Sequence, residues 1–267
     1  MTTPAEPPGG RAPDSPPVPA RQGAVPRDAR WTWWRRGFYD LSRFWLRVTA
    51  RTFYRYRSWG SEHVPTTGPA LIVANHQSHF DPPSIASALF QRRIDFVGRV
   101  SLFDVPILSP IISAYNTIPI RENSSDTAAI KQVLNRLSLG HVVLIFPEGS
   151  RSRDGSMIPF KRGISLLIRR AKCPLIPLAL EGTFDAWPRS MHRPKRIGCA
   201  ISVRILPPAD DLVTLPPDEM LDALARRIDD ARLELRAEIR AGTGGRWPKP
   251  GPGDARSFPP GDPPTAG

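Results

Sequence analysis

The sequence predicts an α/β fold. It reads as a single layered domain with a mainly parallel sheet flanked by helices, preceded by an N-terminal amphipathic segment suited to a membrane interface. Three observations carry the prediction. Short apolar runs of strand length recur at residues 70–74, 141–146 and 174–180. Stretches with apolar residues at three- and four-residue spacing separate them, so strands alternate with helices along the chain. Ahead of them, residues 31–57 mix tryptophan and arginine in a helical pattern.

Taken in order, residues 1–29 are rich in proline and glycine and poor in large apolar side chains, as expected of a disordered tail. They hold no apolar core of signal-peptide type. Residues 30–59 form the interfacial segment. Trp31, Trp34, Phe38, Leu41, Trp45 and Val48 recur as an apolar helical stripe, with Arg43, Arg47, Arg51 and Arg55 in a row beside it. Aromatics on one face and arginines on another suit a helix lying in the headgroup layer, each arginine adding roughly 1 kcal/mol of attraction to anionic lipid. The competing reading packs the aromatics on the domain core.

Residues 60–241 form the domain. The run at 70–74, with Ile72 and Val73, is a buried strand. Asp81 before Pro82 and Pro83 is expected to cap the next helix. Residues 105–120 are uncharged but interrupted by Pro106, Pro110 and Pro119, and are read as a buried or membrane-dipping segment leading into a short strand at 117–120. No uninterrupted apolar run approaches the roughly 20 residues a span requires, so the chain is expected to lie on a bilayer. A helix follows at 126–140 with Gly140 as its stop, then the strand at 141–146. Ile164, Leu167, Ile168 and Ala171 mark a helix over 161–172, followed by the strand at 174–180. Alternating Ile201, Val203 and Ile205 mark a strand at 200–206, and 217–241 is a closing amphipathic helix. Residues 242–267 return to proline and glycine and are expected to be a second disordered tail.

The net charge of +12 calls for an anionic partner. The excess basic charge lies beside aromatics and no familiar nucleic-acid motif is visible, so a membrane surface is expected and nucleic acid is not. Cys173 and Cys199 sit in apolar runs without metal-ligand spacing, as free core thiols of a reducing compartment do. No metal site is expected.

The chemistry centres on the six-residue turn 75–80 between the first strand of the domain and the helix that follows. It carries His76 and His79, with Asp81 at its end. A carboxylate beside a turn histidine can fix the imidazole tautomer and stabilise the imidazolium, which makes a base and its orienter. Taken alone, Asp81 could equally be only a helix cap. Ser78 lacks the G-x-S-x-G elbow of a serine hydrolase.

Asn75-His76-Gln77-Ser78-His79-Phe80-Asp81 resembles the NHxSxxD signature of the glycerolipid acyltransferases of 1-acylglycerol-3-phosphate acyltransferase type. Three further blocks stand in that family's order: Asn116 to Arg121 (NTIPIR), Phe146 to Ser152 (FPEGSRS) with Phe160-Lys161 and Gly163, and Ile176 to Leu180 (IPLAL) with Gly182-Thr183. The resemblance implies that His76 and Asp81 are catalytic. It also implies that Arg121, Glu148, Gly149, Arg151 and Lys161 bind the glycerol phosphate of the acceptor. The acyl donor is then acyl-CoA or acyl-carrier protein, a substrate rather than a cofactor, and no cofactor is expected. The acceptor is a lysophospholipid, most simply 1-acylglycerol-3-phosphate giving phosphatidic acid, with another lysolipid or a lyso-aminolipid as the alternative. The expected place is the cytoplasmic face of a membrane, peripheral or monotopic. A non-catalytic basic module binding anionic lipid is the reading of a different class; it needs neither a His76–Asp81 pair nor Glu148.

Overall fold

Every residue of strand β2 (Ala70–Ala74) is buried, because it has strands on both edges and helices on both faces. The structure, a computed structural model, describes residues 32–106, 108–120, 126–191, 193–194 and 197–258. The expected N-terminal tail and Trp31 lie outside the described residues.

The remaining strands are β1 (Arg57–Trp59), β3 (Ile94–Arg99), β4 (Ile118–Ile120), β5 (Val142–Ile145), β6 (Leu175–Glu181) and β7 (Ser202–Ile205). Among the described residues they form one seven-stranded sheet in the order β1-β7-β6-β2-β5-β3-β4. The strands from β6 to β4 run parallel, as expected; β7 is antiparallel to β6, and β1 pairs parallel with β7. Side-chain alternation divides the core in two. Ala70, Ile72 and Ala74 of β2 join Val142 and Leu144 of β5 on one face, while Leu71 and Val73 join Val143 and Ile145 on the other. The first face is covered by α1 (Trp33–Tyr54) and α2 (Asp81–Ala88). The second is covered by α4 (Asp126–Ser138), α5 (Gly163–Ala171) and α7 (Pro217–Gly242). The short helices α3 (Leu108–Ala114) and α6 (Thr183–Ala186) complete the fold. In the stretch expected to be buried or membrane-dipping, Val105 and Ile111 are exposed. Among the described residues, no helix is long and apolar enough to cross a membrane.

Three expectations are corrected. First, helix α1 keeps its aromatic stripe outward but turns part of its arginine row inward. Trp33, Trp34, Phe38, Leu41, Phe44, Trp45 and Val48 are exposed, whereas Tyr39 and Arg43 are buried. Arg43 Nη1 donates to the carbonyls of Leu89 (2.6 Å) and Arg92 (3.3 Å), and Arg47 Nη1 to that of Ser87 (3.1 Å). Both guanidinium groups lie over the Phe90 ring. These two arginines thus satisfy carbonyls at the C-terminal end of α2, where positive charge is favoured, rather than facing lipid. The helix ends at Tyr54, with Arg55 in the left-handed region, and the chain then enters β1.

Second, the helix cap is Phe80, and Asp81 is the first helical residue. Its carboxylate turns back into the preceding turn instead of onto its own helix. Third, the C-terminal stretch is packed as far as Phe258. Trp247 rests on the core of one face and Phe258 on that of the other, while buried Arg232 and Arg236 bind main-chain carbonyls of the segment. Polar anchoring of the backbone, which composition does not register, orders this proline-rich run.

Candidate active site

The turn after β2 is fixed by side chains that continue the sheet. Asn75, fully buried, donates from Nδ2 to the Leu180 carbonyl and accepts the Leu180 N–H, both at 2.9 Å, so it pairs with β6 like one more strand residue. The chain then bends, and one oxygen of Asp81 gathers three donors. These are His76 Nδ1 at 2.7 Å, the Gln77 N–H at 2.6 Å and the Ser78 N–H at 2.7 Å. Three donors compensate the burial of a carboxylate that is 0 % exposed. With Nδ1–H committed to Asp81, the acceptor nitrogen of the imidazole is Nε2. The ring stacks on Phe146 with centroids 3.9 Å apart and planes 14° apart, which holds its orientation.

The loop after β5 braces the same turn. Glu148 Oε1 accepts the His76 N–H (2.8 Å), Oε2 accepts the Ile158 N–H (3.1 Å), and the Ser152 N–H donates to the His76 carbonyl (2.8 Å). Burial pushes the Glu148 carboxyl up to about 8, against the two main-chain donors, which pull it down. Gly149 has φ +69°, and a Cβ there would overlap the Lys161 side chain, so glycine lets Lys161 lie across the loop. Arg99 Nη2 reaches the Gly149 carbonyl (3.3 Å). Arg151 is half-buried, and its Nη1 is buried without a hydrogen-bond acceptor. Desolvation lowers its pKa first, followed by the repulsion of Arg189 and Arg99, while Asp81 acts the other way. Positive charge is therefore concentrated beside His76.

His79 is not paired with Asp81. Its ring lies against Trp187 (4.8 Å), and desolvation, aided by Arg151 and His76, pushes it down to about 4. The Ser78 hydroxyl donates to the Trp187 carbonyl (2.6 Å) and accepts the Phe80 N–H (3.1 Å), so it is occupied in the turn rather than aligned with His76 as a nucleophile. Of the residues singled out in the sequence, His76, Asp81, Glu148, Gly149, Arg151 and Lys161 converge at the carboxyl ends of β2 and β5. Arg121 lies outside the described residues; the chain reaches it from Ile120, which is the register partner of Arg99. Sequence alone assigns no site role to Arg99, Arg189 or Phe146, although Phe146 opens the third block. The terminal position of Arg99 on a strand was the available signal, and it was hidden because β3 itself was not recognised.

A family model described as Acyltransferase matches residues 55–181. The chloroplastic 1-acyl-sn-glycerol-3-phosphate acyltransferase of Brassica napus is 28 % identical over 58 % of this chain and 46 % of its own length. The alpha form from Mus musculus is 31 % identical over 74 % of this chain and 70 % of its own. The chain thus spans under half of that plastid relative and about two thirds of the mammalian one. The crystal structure of PlsC, the 1-acyl-sn-glycerophosphate acyltransferase of Thermotoga maritima, superposes with a TM-score of 0.65 over 80 % of this chain and 83 % of that one; at 23 % identity it establishes a shared fold. With four ordered blocks, the first and third of which meet in one site, and a relative matched over most of its length, the chain belongs to the 1-acyl-sn-glycerol-3-phosphate acyltransferase family.

Proposed function

We propose that this chain transfers a fatty acyl group from a thioester, acyl-CoA or acyl-carrier protein, to the free hydroxyl of 1-acylglycerol-3-phosphate, giving phosphatidic acid. The observation that carries the reading is the buried Asp81 carboxylate holding His76 Nδ1 at 2.7 Å beside a cluster of arginines. His76 Nε2 takes the proton of the acceptor hydroxyl as its oxygen attacks the thioester carbonyl. The C–O bond forms, and the tetrahedral oxyanion collapses with cleavage of the C–S bond. The thiolate leaves with the proton returned from the imidazolium, whose charge Asp81 stabilises in between. A thioester is reactive enough to need neither a covalent enzyme intermediate nor a cofactor. Arg121, Gly149, Arg151 and Lys161 hold the acceptor phosphate, a task that suits the planar donor fork of arginine. Glu148 borders that site and braces the His76 turn.

The substrates reside in a bilayer, and the outward aromatic face of α1 is the surface that meets it. Tyr54 at the end of that helix packs edge-on against Phe80 of the catalytic turn (5.2 Å), so a helix lying in the headgroups sets the depth of the site. The test is to give the purified protein labelled acyl-CoA or acyl-carrier protein with a panel of lysolipids. Phosphatidic acid should be the dominant product. Equal use of an acceptor lacking the phosphate would remove the assigned role of the arginines.

A further inference from the structure

Behind the catalytic turn, between β6 and α7, lies a buried set of charges that the chemistry above does not use. Glu181, the last residue of β6, is 0 % exposed, as are Asp229 and Arg232 of α7. Arg232 Nη1 donates to Glu181 Oε2 (3.3 Å), and Arg236 Nη1 donates to Glu181 Oε1 (2.7 Å). Arg232 also binds Asp229 through Nε (2.9 Å) and Nη2 (2.7 Å). Two carboxylates thus face two guanidinium groups. Buried ion pairs of this kind add little net stability over apolar packing of the same volume, and their best-attested use is to specify one geometry.

Here the specified geometry includes the catalytic turn. Gln77 follows His76 directly, and its Nε2 donates to Glu181 Oε2 (3.2 Å) and to the Gly155 carbonyl (3.1 Å). The main-chain N–H of the same residue is one of the donors to Asp81. Two hydrogen-bonded steps therefore lead from Glu181 to the carboxylate that orients the base. The network is closed from outside by the folded C-terminal segment. The carbonyls of Gly253 (2.8 Å) and Ala255 (3.4 Å) accept from Arg232. The Lys249 carbonyl (2.7 Å) and Asp254 Oδ1 (2.6 Å) accept from Arg236, and the Ser257 N–H donates to Asp229 Oδ2 (2.6 Å). Gly253 rests on the Gly155 carbonyl that Gln77 uses; a Cβ there would sit 2.9 Å from that oxygen.

We infer that Glu181, clamped by Arg232, Arg236 and the C-terminal segment 246–258, is a positioning residue for the His76–Asp81 pair, acting through Gln77. The inference rests on the proposed acyl transfer for its kinetic readout only. In the full-length protein, Glu181→Gln should lower kcat ~10-fold or more through misplacement of the base, with both KM values within about twofold of wild type. Arg236→Met touches nothing in the turn and should lower kcat in the same way. Asp254→Asn, at the rim of the network, should show a smaller loss in the same direction, and it carries the test alone if the buried variants do not fold. Each is assayed well below its own Tm. The second readout is the proton NMR signal of His76 Nδ1–H, assigned by its loss in His76→Gln, whose exchange with solvent should quicken in every variant. Variants that lower Tm but keep wild-type kcat and wild-type exchange would make the network purely structural and overturn the inference. If wild type acylates no lysolipid, the functional reading fails while the exchange rates still decide the role of Glu181.

Discussion

Replacing Asp81 with Asn separates the two tasks that its carboxylate can perform. One oxygen accepts from His76 Nδ1, Gln77 N and Ser78 N at 2.6–2.7 Å. An asparagine keeps the shape and can keep its oxygen on all three donors, but it carries no charge, and it sets an N–H₂ where Asp81 Oδ1 is buried without a partner. The imidazolium formed during transfer then lacks its counter-charge, and an amide turned over to relieve the buried N–H₂ aims it at Nδ1, which puts the ring proton on Nε2 and removes the base. A misassigned tautomer of this kind lowers turnover on the order of 10³–10⁴-fold, about 4–5 kcal/mol of barrier. The loss to folding is smaller. One charge-assisted bond is replaced by a weaker contact, costing about 1.5–3 kcal/mol, which lowers Tm by roughly 3–12 °C in a chain of this size. Steady-state kinetics on lysophosphatidate with acyl-CoA, paired with a thermal melt, reads both. Turnover within about tenfold of wild type in a folded Asp81→Asn protein, alongside the expected fall in Tm, would refute the orienting role and leave Asp81 as a brace of the turn.

Arg151→Ala should raise the KM for the phosphorylated acceptor and leave that for the acyl donor near wild type; a rise confined to the donor would place the arginine at the other substrate. Desolvation, with the repulsion of Arg151 and His76, holds His79 below its free value of about 6.5 in the folded chain, an effect that solvent screening at this exposed ring keeps small. As pH falls from 6.5 to 4 the unfolded chain gains a proton that the folded one refuses, so stability is lost through that window. Urea unfolding of His79→Gln should show a weaker decline over the same range, and an unchanged decline would assign it to other groups. Replacing Trp33, Trp34 and Trp45 with Ala should release the protein from anionic vesicles in sedimentation, whereas Arg43→Glu should mainly lower Tm; vesicle binding that survives the triple change would move the membrane contact off α1.

The sequence made the interior strands and the dyad plain for a physical reason. β2, β5 and β6 are covered on both faces, so they read as unbroken apolar runs, and His76 and Asp81 are neighbours in the chain as well as in space. β3 escaped because Asp95 interrupts it. That residue is fully buried, with Oδ2 bonded to His141 Nδ1 (2.8 Å) and Arg136 Nη1 (3.1 Å), partners distant in sequence. The direction in which α1 faces was equally hidden. An amphipathic pattern says which residues share a face, and only the carbonyls at the end of α2 decide that Arg43 and Arg47 turn inward. The segment 246–258 looked unfolded because proline-rich composition says nothing of the two arginines, Arg232 and Arg236, that bind its backbone.

The most direct measurement is a single-turnover reaction of His76→Ala, with lysophosphatidate and a labelled acyl thioester both saturating, in a protein shown by its melt to be folded. Removing the base should slow phosphatidic acid formation by about 10²-fold or more, while both substrates still bind. Formation at close to the wild-type rate would mean that another group takes the hydroxyl proton, and His76 with Asp81 would not be the catalytic pair.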